Sequence, residues 1–168
     1  MPEFQNLLTR LTATDAPASV VLIRFYVGAV FLSEGIQKFV YPERLGTGRF
    51  TTAEIPAPAF FAYFDGVFEI LCGCLILAGL LTRLAALPMI VNMMGALLIT
   101  KMPILWGNSP TFAGESGFWD FAHEARVDVA QLCGTLFLLI VGAGAWSLDA
   151  RLRSSRAEVS GRKVQSEP

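Results

Sequence analysis

Residues 59–81 read AFFAYFDGVFEILCGCLILAGLL. At ~1.5 Å per residue a helix of this length spans about 35 Å, enough to cross the ~30 Å hydrocarbon core of a bilayer. The stretch nonetheless carries two carboxylates, Asp65 and Glu69, four residues apart. A charge near the bilayer centre costs at least ~2.5–3.5 kcal/mol, so ionisable groups there face protein or water and find partners. The segment is therefore expected to be a membrane helix with one polar stripe, packed against others that supply its counter-charges.

Three more apolar stretches flank it, Ala18–Val40, Leu84–Thr100 and Val127–Trp146. The expected fold is all-α, an integral membrane four-helix bundle over 18–148. A short cytoplasmic segment, 1–17, precedes it and a basic, flexible cytoplasmic tail, 149–168, follows. Composition supports this: of 168 residues, 54% are hydrophobic and only 16% charged, against roughly 25% charged in soluble domains. The mean hydropathy is +0.53. Too few residues remain to wrap four such helices inside a soluble protein. Net charge is −1, from 13 Lys+Arg and 14 Asp+Glu, which removes the electrostatic basis for a nucleic-acid binder. Cys72, Cys74 and Cys133 make neither a disulfide scaffold nor a zinc site and are read as small apolar fillers.

Basic residues orient the spans. Arg10, Arg83, Arg151, Arg153, Arg156, Arg162 and Lys163 fall on one side, Arg44 and Arg49 on the other, with Lys38 and Lys101 at its edges. The positive-inside rule then places both termini in the cytoplasm, and the first span is read as a retained anchor. Pro88 is expected to kink the third span, and Pro103 to end it or continue it as a bent segment. The third loop, Met102–His123, carries Trp106, Phe118, Trp119 and Phe121, which suit either the headgroup zone or a packed loop.

The ionisable residues inside the spans are the informative ones. Arg24, Glu34 and Lys38 lie in the first span, Asn92 in the third, and His123, Glu124, Arg126, Asp128 and Gln131 at the start of the fourth. Glu34 precedes Lys38 by four residues, the favourable order for an ion pair within one helix. Asp65 and Glu69 share a face that Cys72 extends, and would repel unless a neighbouring cation sits between them or one stays protonated. Glu124, Asp128 and Gln131 form another stripe, with Arg126 pointing roughly the other way. Under this topology Glu34, Lys38, Asp65, Glu69, Glu124, Arg126 and Asp128 all lie in the outer half of the membrane. Arg24, ten residues before Glu34, is a separate, secondary polar position about 15 Å away along the helix.

Such a cluster can be structural, with Lys38 and Arg126 reaching to the surface, or an interface with another membrane subunit. It can equally form an outward-opening pocket for a polar headgroup, a quinone ring or a proton. His123 is read as a hydrogen-bonding group at a helix start. No haem, iron–sulfur or other metal site is expected, and no dinucleotide or phosphate-loop motif is present. Gly66, Gly73, Gly79, Gly142 and Gly144 permit close helix approach.

Arg24 with Gly28, the run Glu34-Gly35-Ile36-Gln37-Lys38-Phe39, Glu69 with Gly73, Leu80-Leu81-Thr82-Arg83, and Gly142-Ala143-Gly144 followed by Ser147-Leu148-Asp149 together resemble the DoxX family, over about residues 20–151. The resemblance implies a four-helix protein of the bacterial inner membrane. The family takes its name from a subunit of a thiosulfate:quinone oxidoreductase and includes chaperone-like relatives, and Lys38 and Glu69 fall at positions of its polar core. The expected function is that of a membrane subunit linked to a quinone-dependent redox system, not catalytic alone and with no intrinsic cofactor. Glu34, Lys38, Asp65, Glu69, His123, Glu124, Arg126 and Asp128 are its candidate ligand residues. Expected partners are the lipid bilayer, an oxidoreductase or other membrane subunit, and further copies of the chain. The alternative is a non-enzymatic assembly or chaperone-like factor, or a small proton-coupled transporter.

Overall fold

The computed structural model describes Thr12, Thr14 and residues 16–154; expectations for the rest of the two termini lie outside the described residues. All regular structure among the described residues is helical. The long helices are α1 (Val20–Val40), α4 (Pro58–Ala78), α5 (Thr82–Ala96) and α6 (Phe118–Val141). Two short helices, α2 (Pro42–Leu45) and α3 (Thr47–Thr52), fill the first loop. A π-helical turn, Leu97–Lys101, and a 3-10 turn, Met102–Trp106, extend α5. Pro103 thus continues the third segment instead of ending it.

Among the described residues three helices are long and apolar enough to cross a membrane: Val20–Val40, Pro58–Ala78 and Thr82–Trp106, with mean hydropathies of 1.5, 1.9 and 1.6. The fourth expected span, Val127–Trp146, lies differently. Its helix, α6, begins at Phe118 and ends at Val141. Hydropathy misses the start because Asp120, Glu124, Arg126 and Asp128 occupy it. The end comes early because Gly142, at φ 88°, leaves the helical region.

The side chains are distributed as a lipid solvent requires. Small and medium groups such as Val27, Ile76, Ala86 and Leu138 are buried between helices, whereas Leu22, Val91 and Ile140 are 70–74% exposed. Helices α1 and α4 form the most extensive pair, and α5 packs chiefly on α6. Hydrophobic burial does not drive association in lipid, so close backbone contact must. A Cβ on Gly73 would stand 2.7 Å from the Leu32 nitrogen and 3.0 Å from the Gly28 carbonyl oxygen. One on Gly35 would stand 2.8 Å from the Gly66 carbonyl oxygen. Because backbone atoms, not flexible side chains, set these limits, Gly73→Ala is expected to part the two helices at about 1–3 kcal/mol. A lowered midpoint in a denaturing-detergent titration measures it.

The end of the bundle bearing Gly79 is closed by two buried charges. Helix α4 stops at Gly79, φ 67°, where the Leu80 N–H donates to the Leu75 carbonyl at 2.9 Å and the Gly79 N–H to that of Ile76 at 3.1 Å. This is the Schellman ending that glycine favours. Arg24, 3% exposed, donates to the carbonyls of Ile76 (3.0 Å) and Leu77 (2.7 Å) at the end of α4. It also donates to Ala143 (3.0 Å) and Trp146 (2.6 Å) beyond α6. One guanidinium thereby satisfies carbonyls that a helix end leaves orphaned, and sets a cation at the negative pole of α4. Asp149 does the opposite at α5, accepting from the N–H groups of Leu81 (2.9 Å) and Thr82 (3.2 Å). Placing Asp149 in a flexible tail is therefore corrected: the residue is 1% exposed and residues 148–154 are helical.

Candidate functional site

At the opposite end, the last turns of α1, the first turns of α4 and α6 and the end of α5 surround a cavity of about 940 Å³ that α2 and α3 border. Phe31, Phe61, Phe64, Met93 and Ile99 give it apolar surface.

Lys38, 8% exposed, reaches from α1 between the two carboxylates of α4. Its Nζ lies 2.9 Å from Asp65 Oδ2 and is hydrogen-bonded to Glu69 Oε2. The other oxygen of Glu69, Oε1, accepts from Asn92 Nδ2 of α5 at 3.0 Å. Three helices thus meet at one buried carboxylate, 3% exposed. The geometry corrects two expectations. Lys38 pairs across helices and not with Glu34, because the Gly35–Gly66 contact brings α4 within its reach while Glu34 is exposed. Nor does Lys38 extend to the surface, since its two acceptors lie inside.

The second charged group stands on the facing wall. Lys101 Nζ is 3.7 Å from both Glu124 Oε2 and Asp128 Oδ2 of α6, and 4.0 Å from the centroid of the Phe112 ring. Spacing could not flag it. At ~100° per residue Lys101 would lie about 180° round from Asn92 on a straight α-helix. The π-helical turn that contains it winds less per residue, and both side chains border the cavity. Arg44 and Arg49, supplied by α2 and α3, were read only as topological charges and also line it. Gln131, 1% exposed, completes the wall and donates from Nε2 to the Val27 carbonyl at 3.2 Å.

Seven of the eight candidates border this one cavity: Glu34, Lys38, Asp65, Glu69, Glu124, Arg126 and Asp128. Arg126 is exposed and hydrogen-bonds the His123 carbonyl one turn back along α6. The eighth, His123, is exposed and stands outside the lining, a correction that follows from the early start of α6. Arg24 belongs to the other end of the bundle. Among the described residues no group of three His, Cys, Asp or Glu could hold a metal ion. Lys38 and Asn92 each keep a hydrogen that is not spent on Asp65 or Glu69, so this polar wall can donate as well as accept. Such a wall can bind a polar ring edge or pass protons.

Comparison with known proteins agrees with this architecture. The chain is 54% identical over 152 residues to "Uncharacterized membrane protein Rv3486" of Mycobacterium tuberculosis, covering 90% of this chain and 91% of that protein. It is 32% identical over 129 residues to "Putative oxidoreductase CatD" of Bacillus subtilis, covering 77% of this chain and 83% of that protein. No solved structure matches. The model of the DoxX family matches residues 19–102, which include Arg24, Lys38, Asp65, Glu69, Asn92 and Lys101. The chain belongs to the DoxX family.

Proposed function

We propose that this protein is a membrane subunit of a quinone-linked redox system and that its cavity holds the quinone ring. The observation that carries the reading is Glu69, buried at the junction of three helices, shared by Lys38 and Asn92, and bordering a chamber whose walls combine charged groups with the apolar surface of Phe31, Phe64 and Met93. The residues suit such a ligand. Small-molecule sites measure ~300–1,000 Å³ and combine apolar walls with a few placed polar groups, and about 940 Å³ lies in that range. Phe31, Phe64 and Met93 can face a ring, while Lys38 and Asn92 have hydrogens for its oxygens. A bound quinone supplies the capacity to take up two electrons and two protons. Asp65 and Glu69 would hold and relay protons beside it.

In this reading a partner oxidoreductase supplies the electrons, which accords with the name of the Bacillus relative. The cavity end faces outward and both termini lie in the cytoplasm. Arg83, Arg151 and Arg153 at the other end support that orientation under the positive-inside rule.

The full chain in nanodiscs is expected to melt at a higher temperature as a tail-less benzoquinone is added, since any ligand that binds only the folded state raises its stability. Glu69→Gln is expected to weaken that rise about tenfold in ligand concentration, which corresponds to the loss of one charged hydrogen-bonding group. A melting temperature that does not respond to the quinone overturns the proposal.

A further inference from the structure

We infer that Gly95 is a specificity-determining residue: it leaves room on the chamber wall for a bulky apolar group, so that the site accepts a quinone ring carrying a second ring or a group of that size. This rests on the reading of the cavity as a quinone site and adds the class of ring it holds.

Among the described residues six glycines lie inside the four long helices, and five of them are explained by contact. A Cβ would stand 2.8 Å from a neighbouring atom at Gly28, Gly35 and Gly66, 2.7 Å at Gly73 and 2.6 Å at Gly134. A Cβ on Gly95 would meet nothing within 4 Å. Nor does the backbone call for glycine there, since Gly95 lies within α5 and outside the left-handed region. Glycine is the poorest helix former after proline, so neither packing nor conformation accounts for it.

What the missing side chain leaves is space. Gly95 borders the chamber together with Asn92, Ala96 and Ile99 of the same helix, whereas the exposed Val91, Met94 and Leu98 do not. A glycine can reach a cavity only through its main chain, so the empty position of its Cβ opens onto the chamber. Helical geometry sets Gly95 about 4.5 Å along the axis from Asn92 and about 60° round. A ring hydrogen-bonded at the Lys38–Asn92 wall can therefore place a substituent beside Gly95. Ala96 and Ile99 carry no polar side-chain atoms, which makes that substituent an apolar one. The volume of about 940 Å³ stands near the upper end of the range for small-molecule sites, more than a single ring requires.

The test titrates duroquinone and 2,3-dimethyl-1,4-naphthoquinone by calorimetry into the full chain and into Gly95→Leu, both in nanodiscs. Each quinone partitions into lipid equally with either protein, so the ratio between proteins reports the site alone. Leucine is expected to weaken the naphthoquinone about tenfold or more, as overfilling does, and the single ring by less than about threefold. Gly95→Ala, which adds one methyl group and favours the helix, is expected to melt no lower than the wild type and to weaken the naphthoquinone selectively. It decides the matter by the same ratio if the leucine variant does not fold. Losses equal for the two quinones, no loss for the naphthoquinone, or a wild type that binds duroquinone alone would each overturn the inference while leaving the site intact. Binding of neither quinone by the wild type would overturn both the inference and the reading beneath it.

Discussion

Lys38→Met is expected to be the most damaging single substitution at the cavity, costing about 3–5 kcal/mol of folded-state stability, the usual penalty for removing one partner of a buried ion pair. Methionine keeps an unbranched apolar stem of similar length, so packing changes little. What it removes is, among the described residues, the only cation bonded to Asp65 and Glu69. Asn92, with one amide hydrogen on Glu69 Oε1, cannot neutralise two carboxylates. The attribution to charge has its own control. The triple variant Lys38→Met, Asp65→Asn, Glu69→Gln removes the buried charges together and is expected to recover most of the loss, because pairs replaced as a unit are often close to neutral. Denaturing-detergent titrations of the two variants against the wild type measure both effects. A triple variant no more stable than Lys38→Met would show that the penalty lies in packing.

Arg24→Lys is expected to be nearly as costly, about 3 kcal/mol, although it keeps the charge. The planar fork of arginine reaches four carbonyls on two chain segments, and each charged hydrogen bond is worth roughly 1.5–3 kcal/mol. Lysine has three hydrogens on one atom and cannot span both segments. The same titration measures this loss. The effect should also be local: proteolysis near Gly79 and beyond Gly142 is expected to rise, while the Lys38–Glu69 end is unaffected.

The contrast between these two ends shows what could be read in the sequence. The cores of α1 and α4 were legible because their apolar runs are nearly uninterrupted and bounded by Pro17, Pro58 and Gly79. The candidate cluster was legible as a collection of charges at one depth. Its partnerships were not, because helical spacing compares residues within one helix. It offered Glu34 to Lys38, whereas Gly35 and Gly66 bring a second helix close enough to win. Lys101 was missed as a site residue because it sits in a π-helical turn, which no 3.6-residue period anticipates. Asp149 was missed for a different reason: it caps residues 68 and 67 positions away, and its surroundings in sequence read as a basic tail. Local pattern thus located the elements, and long-range pairing decided which charges meet.

Whether the charged cavity binds rings can be seen by photolabelling the full chain in native-lipid nanodiscs with a tail-less azidoquinone and mapping the modified residues by mass spectrometry. Labels are expected on chamber residues such as Phe64, Met93 and Ile99, displaced by excess unlabelled quinone and lost in Lys38→Met. Labels spread over outward-facing positions such as Leu22, Val91 and Ile140, with none in the chamber, would contradict ring binding in the cavity.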